Sequence, residues 1–123
     1  MIVIEREALI KLFEMIGESS DSLAELIESF LDESPTLLDQ LRQASDQGDR
    51  ISLGRAAHTL KSSARDFGAG QLSIYCEDLE KKCRDGIPEQ AAMQVDAIVA
   101  ECTAAQSELN LHLVELRRGT WSK

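Results

Sequence analysis

The sequence predicts an all-α domain: an antiparallel up-down four-helix bundle with a short additional helix at the N-terminus. Three observations carry that expectation. Apolar residues recur at intervals of three and four along nearly the whole chain, the period of one helix face. Aromatics make up only 4% of the 123 residues, and prolines number two, while Leu, Ala, Glu and Gln are plentiful, which favours helix over strand. Short turn sequences separate the periodic stretches, so consecutive helices are expected to run antiparallel.

The elements follow in order. Within the first ~16 residues Leu9, Leu12, Phe13 and Ile16 share one side, and Gly17 ends the helix. Ser19, Ser20 or Asp21 can cap the next one. Its apolar positions are Leu23, Ile27, Phe30, Leu37, Leu41 and Ala44, with Leu26, Leu31 and Leu38 beside them. Pro35 lies in its middle and lacks a backbone donor, so it is expected to kink the helix or start a new one with Ser34 as cap. Gln47-Gly48-Asp49 reads as a turn followed by a cap. The third helix carries Leu53, Ala57, Leu60, Ala64 and Phe67 inward, and Gly68-Ala69-Gly70 closes it. The fourth runs from about Gln71 to Arg84 with Leu72, Cys76, Leu79 and Cys83 inward. Asp85-Gly86-Ile87-Pro88 is a turn, and Pro88 suits the first turn of a fifth helix. That helix reaches from about Glu89 to Arg118, striped by Val95, Ile98, Cys102, Ala105, Leu109, Leu113 and Leu116. The expected organisation is one domain over residues 1–118 and a flexible tail over 119–123, in which Trp121 is the residue able to pack back on the bundle.

Composition excludes several function classes. A net charge of -9 argues against a nucleic-acid partner, which needs a dense basic surface. No run of ~18 apolar residues exists to span a membrane, and the N-terminus lacks the pattern of a signal peptide, so a cytoplasmic protein is expected. Cys76, Cys83 and Cys102 all fall on apolar stripes and read as buried free thiols. With His112 they form no metal-ligand spacing, so no metal is expected, and His112 itself reads as structural, beside the last helix's apolar stripe.

His58 stands apart. With the third helix's apolar residues set inward, His58 lies about 140° away, Gly54 about 100°, Lys61 about 80°, Arg65 about 120° and Ser62 about 180°. An exposed helix face is ordinarily just solvated. Here, though, the outward side gathers an imidazole, small residues and two cations. A neutral imidazole nitrogen is a good nucleophile near neutral pH, and its attack on a phosphoryl group gives a phosphoramidate that can pass the group onward. Lys61, one turn away, and Arg65, two turns away, can supply counter-charge.

The stretch His58-Thr59-Leu60-Lys61-Ser62-Ser63-Ala64, then Phe67-Gly68-Ala69, Leu72, Cys76, Leu79 and Glu80, resembles the histidine-containing phosphotransfer (HPt) domain of two-component phosphorelays. Phe30-Leu31-Asp32-Glu33-Ser34-Pro35 and the Gly48-Asp49 turn fit the same pattern, and the similarity spans about residues 5 to 117. The resemblance implies that His58 accepts phosphate on Nε2, carries it between receiver-domain aspartates, and is neutralised by Lys61, with Arg65 a second phosphate contact. Glu80 occupies the place from which some family members contact the other ring nitrogen, and would hold the tautomer that frees Nε2. Gly54, Ser62 and Gly68 would belong to the docking surface, with an apolar patch from Ile10, Phe13 and Ile16. Two positions depart from the family pattern: Ser62 replaces the usual glycine and Arg65 a usually small residue. Both bear on how partners dock.

The implied partners are receiver domains of response regulators, a hybrid sensor histidine kinase, or both. No cofactor of its own is expected, since Mg2+ would sit on the partner receiver. No ATP-binding motif is present, so a phosphocarrier rather than an enzyme is expected. Without a paired-helix dimerisation domain, a monomer is expected. The alternative is a regulatory bundle that docks on a kinase or receiver without being phosphorylated.

Overall fold

The computed structural model describes residues 2–123; Met1, where the expected domain begins, lies outside them. Five helices follow one another: α1 (Arg6–Met15), α2 (Ser20–Gln47), α3 (Arg50–Asp66), α4 (Gly70–Lys82) and α5 (Ala91–Arg118). No strand occurs among the described residues.

Local chemistry sets the ends. The Ser19 hydroxyl accepts from the Ser22 backbone N–H at 3.1 Å, and the Asp49 carboxylate accepts from the Ser52 N–H at 3.1 Å and its hydroxyl at 2.7 Å. Each cap satisfies backbone donors that a helix start leaves free. Gly48 closes α2 in the left-handed region at φ 67°, where a side chain would be strained.

α2 to α5 form a ring in which α3 touches α2 and α4, and α5 touches α2 and α4. Neighbours run antiparallel: Glu28 pairs with Arg117 while the later Ser34 accepts from the earlier Gln106. The core holds Leu23, Ile27, Leu41, Leu53, Leu60, Leu79 and Ile98, all fully buried. Aromatic packing of Phe30 on Phe67, centroids 5.3 Å apart, joins α2 to the end of α3. α1 packs on α2 and α3. The segment before it is pinned by the Glu108 carboxylate, which accepts from the Val3 and Ile4 N–H groups at 2.7 and 2.9 Å, and by the Glu5 N–H donating to the Gly68 carbonyl at 2.9 Å.

Two local expectations change. α2 passes through Pro35 as one helix, and Ser34 does not cap anything: it is fully buried on the inward face and hydrogen-bonded to Gln106 at 2.8 Å. The inward stripe therefore runs Phe30, Ser34, Leu38, Leu41, and Leu37 is only half-buried. Pro88 stands before α5 instead of in its first turn; its carbonyl accepts from the Ala91 N–H in the turn that leads into the helix. The terminal segment returns to the bundle through Trp121, which is buried edge-on against Phe13, centroids 4.9 Å apart. Arg6 lies over the indole, and its guanidinium donates to the Ser122 carbonyl.

Candidate functional site

Small residues bring α3 and α4 together. Ala57 and Ala64 are fully buried on α3, and a Cβ on Gly54 would already lie 3.4 Å from the Cys83 Cβ of α4. Across this close pairing, Glu80 of α4 reaches two α3 side chains at once. Its Oε2 lies 2.8 Å from His58 Nδ1 and its Oε1 2.7 Å from Lys61 Nζ. The His58 side chain is 59% exposed, whereas Lys61 and Glu80 are 14% and 18% exposed.

The electrostatics select one arrangement of protons. The Lys61 ammonium foremost, and His58 after it, hold the Glu80 carboxyl below the usual carboxylate range, against an opposing effect of burial. An ionised carboxylate only accepts hydrogen bonds, so the proton between the two groups belongs to Nδ1. A neutral ring with its proton on Nδ1 carries its lone pair on Nε2. The arrangement therefore offers an anchored, exposed nucleophilic nitrogen, with an ammonium one helical turn away.

The other sequence-predicted residues fall in different places. Ser62 is exposed, and its hydroxyl donates to the His58 carbonyl at 3.3 Å, so it bonds back to its own helix. Arg65 is exposed and makes no hydrogen bond or ion pair with the His58, Lys61 and Glu80 cluster. Gly54 is half-buried in a groove beside His58. Gly68 does not belong to an open docking surface: it is buried, at φ 81°, and a Cβ there would lie 2.8 Å from both the Ala8 Cβ and the Glu5 carbonyl oxygen. Its role is to let the N-terminal segment cross the end of α3. The expected apolar patch on α1 is likewise spent on packing, since Phe13 is buried under Trp121 and Ile10 and Ile16 are half-buried against the core.

Three arginines share the groove with His58: Arg50, Arg55 and Arg84. The helical spacing that singled out Lys61 also places Arg55 one turn before His58. Arg84 is one turn beyond Glu80, but only the α3–α4 pairing brings it to the site. His112 is half-buried far along α5 and accepts the Trp121 indole N–H at 3.1 Å. All three cysteines are free and buried, and burial pushes the Cys76 thiol up to about 12 and Cys102 to about 11. Neither is a thiolate near neutral pH.

The chain matches the family model described as Hpt domain over residues 25–116. It is 28% identical over 99 residues to the phosphorelay protein LuxU of two Vibrio vulnificus strains, covering 80% of this chain and 84% of LuxU. Its structure is similar to that of histidine-containing phosphotransfer protein B (HptB) from Pseudomonas aeruginosa PAO1, with TM-score 0.83, 26% identity, and coverage of 94% of this chain and 96% of the other. The HPT domain of a hybrid sensor histidine kinase from Shewanella has the same fold, with TM-score 0.74, 18% identity, and coverage of 87% and 92%.

Proposed function

Because the chain belongs to the Hpt domain family, and so serves histidine phosphotransfer in two-component phosphorelays, we propose that His58 is its phosphoryl carrier. The observation that carries this reading is the 2.8 Å contact between Glu80 and Nδ1 on a ring that is otherwise 59% exposed. One nitrogen is fixed and the other faces the solvent from which a partner arrives.

The chemistry follows from the proton arrangement. Nε2 attacks the phosphorus of a receiver's aspartyl phosphate. The N–P bond forms as the P–O bond to the aspartate breaks, and that electron pair returns to the carboxylate. The ring becomes cationic while Nδ1 keeps its proton, and the Glu80 carboxylate balances the new charge. In the forward transfer a second receiver's aspartate attacks phosphorus, the electron pair of the N–P bond returns to Nε2, and the starting tautomer is restored. No proton need enter or leave the site in either direction. Lys61 uses one donor on Glu80 and has two more for the phosphoryl oxygens. Arg65 begins about 10 Å along the helix axis from His58 and serves as a second contact through its length. Mg2+ and the aspartate chemistry belong to the partner, and the chain acts as a phosphocarrier without an ATP site of its own.

Family members in phosphorelays work with receiver domains and kinases. For this chain the partners are response-regulator receivers, a hybrid kinase's receiver, or both. We place it in the cytoplasm as a monomer; no helix among the described residues is long and apolar enough to cross a membrane. The test is incubation with a phosphorylated receiver. Acid-labile, alkali-stable label on the wild type and none on His58→Ala is expected; label persisting on His58→Ala overturns the assignment. Full signalling by a His58→Gln variant in cells would instead favour docking without phosphorylation.

A further inference from the structure

We propose that Arg55 and Arg84 form a cationic rim that draws in and aligns the acidic face of a receiver beside His58, and so set partner choice. The inference rests on the phosphocarrier reading for the identity of the partner.

The groove lies between the first half of α3 and the C-terminal end of α4, lined by Ile51, Gly54 and Cys83 and opening onto His58. Three arginines line it against one carboxylate, in a chain whose net charge is -9. That carboxylate is Glu80, and both of its oxygens are taken, by His58 and Lys61. Arg50 is turned onto the Cys83 carbonyl at 3.3 Å. Arg55 and Arg84 are exposed, and neither guanidinium enters a hydrogen bond or ion pair among the described residues; only their backbones are engaged, the Arg55 carbonyl by the Thr59 hydroxyl and the Arg84 N–H by the Lys81 carbonyl.

The sequence leaves these two charges uncompensated. Lys81 and Lys82 on α4 each pair with an acid four residues back, Glu77 and Asp78. The residue four back from Arg84 is Glu80, already engaged. Arg55 has Ile51 four back, Thr59 four ahead and His58 three ahead, none of them a carboxylate. Asp49 feels Arg55 only at a distance, because its oxygens cap α3 through Ser52.

The partner's chemistry is complementary. A phosphoaccepting aspartate that works with Mg2+ must sit among oxygen ligands, largely carboxylates, so the receiver's rim is acidic. Arginine's planar fork matches a carboxylate in two bonds. A local cationic groove on an acidic protein steers such a face to one spot and repels it elsewhere, mostly through the association rate and in a salt-sensitive way. Arg65 does not line this groove, so the partner's footprint extends from His58 toward the start of α3.

The experiment measures association of the full chain with a panel of receiver domains from the source organism, by stopped flow, at low and several-fold higher salt. Arg55→Gln/Arg84→Gln is expected to slow association about tenfold at low salt, with the difference fading at high salt. Arg42→Gln, an exposed arginine on α2 outside the groove, should not reproduce the loss. Equal rates and salt slopes for the double variant, an equal loss in Arg42→Gln, a loss that salt does not diminish, or no salt-sensitive binding by any receiver would overturn the rim. Phosphoramidate, which needs no docking surface, tests the carrier reading separately: it should label His58 in the wild type. Unlabelled His58 alongside arginine-dependent association would remove the carrier role and leave the rim standing.

Discussion

Glu80→Gln isolates what the carboxylate contributes, because it keeps the size of the side chain and removes the charge. In the wild type one carboxylate serves Nδ1 at 2.8 Å and Lys61 at 2.7 Å. Hydrogen bonds to a charged partner contribute about 1.5–3 kcal/mol, against about 0.5–1.5 for neutral ones. The ring is more than half exposed, so solvent screens much of that difference. About 1 kcal/mol remains at the stage where the ring becomes cationic, equivalent to roughly fivefold to tenfold slower phosphorylation. Glutamine can also present its amide N–H to Nδ1, which would move the ring proton to Nε2 and block the attacking lone pair. The assay is the rate of His58 labelling by phosphoramidate, with ring 15N shifts reporting the tautomer. A rate within twofold of wild type, with the proton still on Nδ1, would refute the reasoning. Stability gives a second readout. The depressed Glu80 pKa contributes stability above the ordinary carboxylate value of ~4.3, lost as pH falls through the lower folded value. The variant should lack that acid-side loss and be about 1 kcal/mol less stable at neutral pH, where Lys61 has no counter-ion.

Two other perturbations test the frame of the site. Gly68→Ala should cost roughly 2–4 kcal/mol in urea unfolding, combining left-handed strain with a clash against Ala8 and the Glu5 carbonyl. Gly48→Ala, at φ 67° with open space, should cost only about 1 kcal/mol; equal losses would mean that the close approach at Gly68 is unimportant. Burial first, and Arg6 after it, lower the His112 pKa, with Glu115 and Glu108 opposing. Below about pH 6.5 the unfolded chain therefore takes up a proton that the folded one resists, and stability falls with acidification. The chain's one tryptophan reports this directly, since a protonated Nδ1 cannot accept from Trp121; acid-induced change in its emission should vanish in His112→Ala, and its persistence would place the titrating group elsewhere.

What was legible in the sequence was periodic. The inward residues of α3 and α4 follow from spacing alone, because each is an unbroken helix whose stripe is all apolar or cysteine. α2 departs from its local sequence pattern at one point for a physical reason. Ser34 before Pro35 has the local chemistry of a helix start, yet Gln106 supplies a half-buried hydrogen-bond partner that lets serine occupy a core position. A partner 72 residues away leaves no mark on the local pattern. Gly68 shows the same limit: it marks the end of α3 in any reading, but its burial depends on the N-terminal segment crossing it. The triad of His58, Lys61 and Glu80 divides along this line. Helical spacing joins His58 to Lys61, whereas Glu80 is reached only across the α3–α4 contact, and family resemblance rather than periodicity singled it out.

The geometry also explains why a phosphocarrier can work without a pocket. An enclosed site would have to pay for desolvating a charged substrate, and would exclude the large partner that holds the acceptor. In the proposed carrier the reacting nitrogen stands on a helix ridge, and preorganisation is confined to the side of the ring that faces the protein. Glu80 fixes the ring and its proton before any partner arrives, so those elements need not be assembled on encounter. Lys61 is mostly buried, and its charge is already balanced, so the unphosphorylated site presents no strong local field of its own. The encounter is then governed by charges that stay uncompensated beside the ring. Within the groove those are Arg55 and Arg84, which places recognition and chemistry on adjacent but separable side chains.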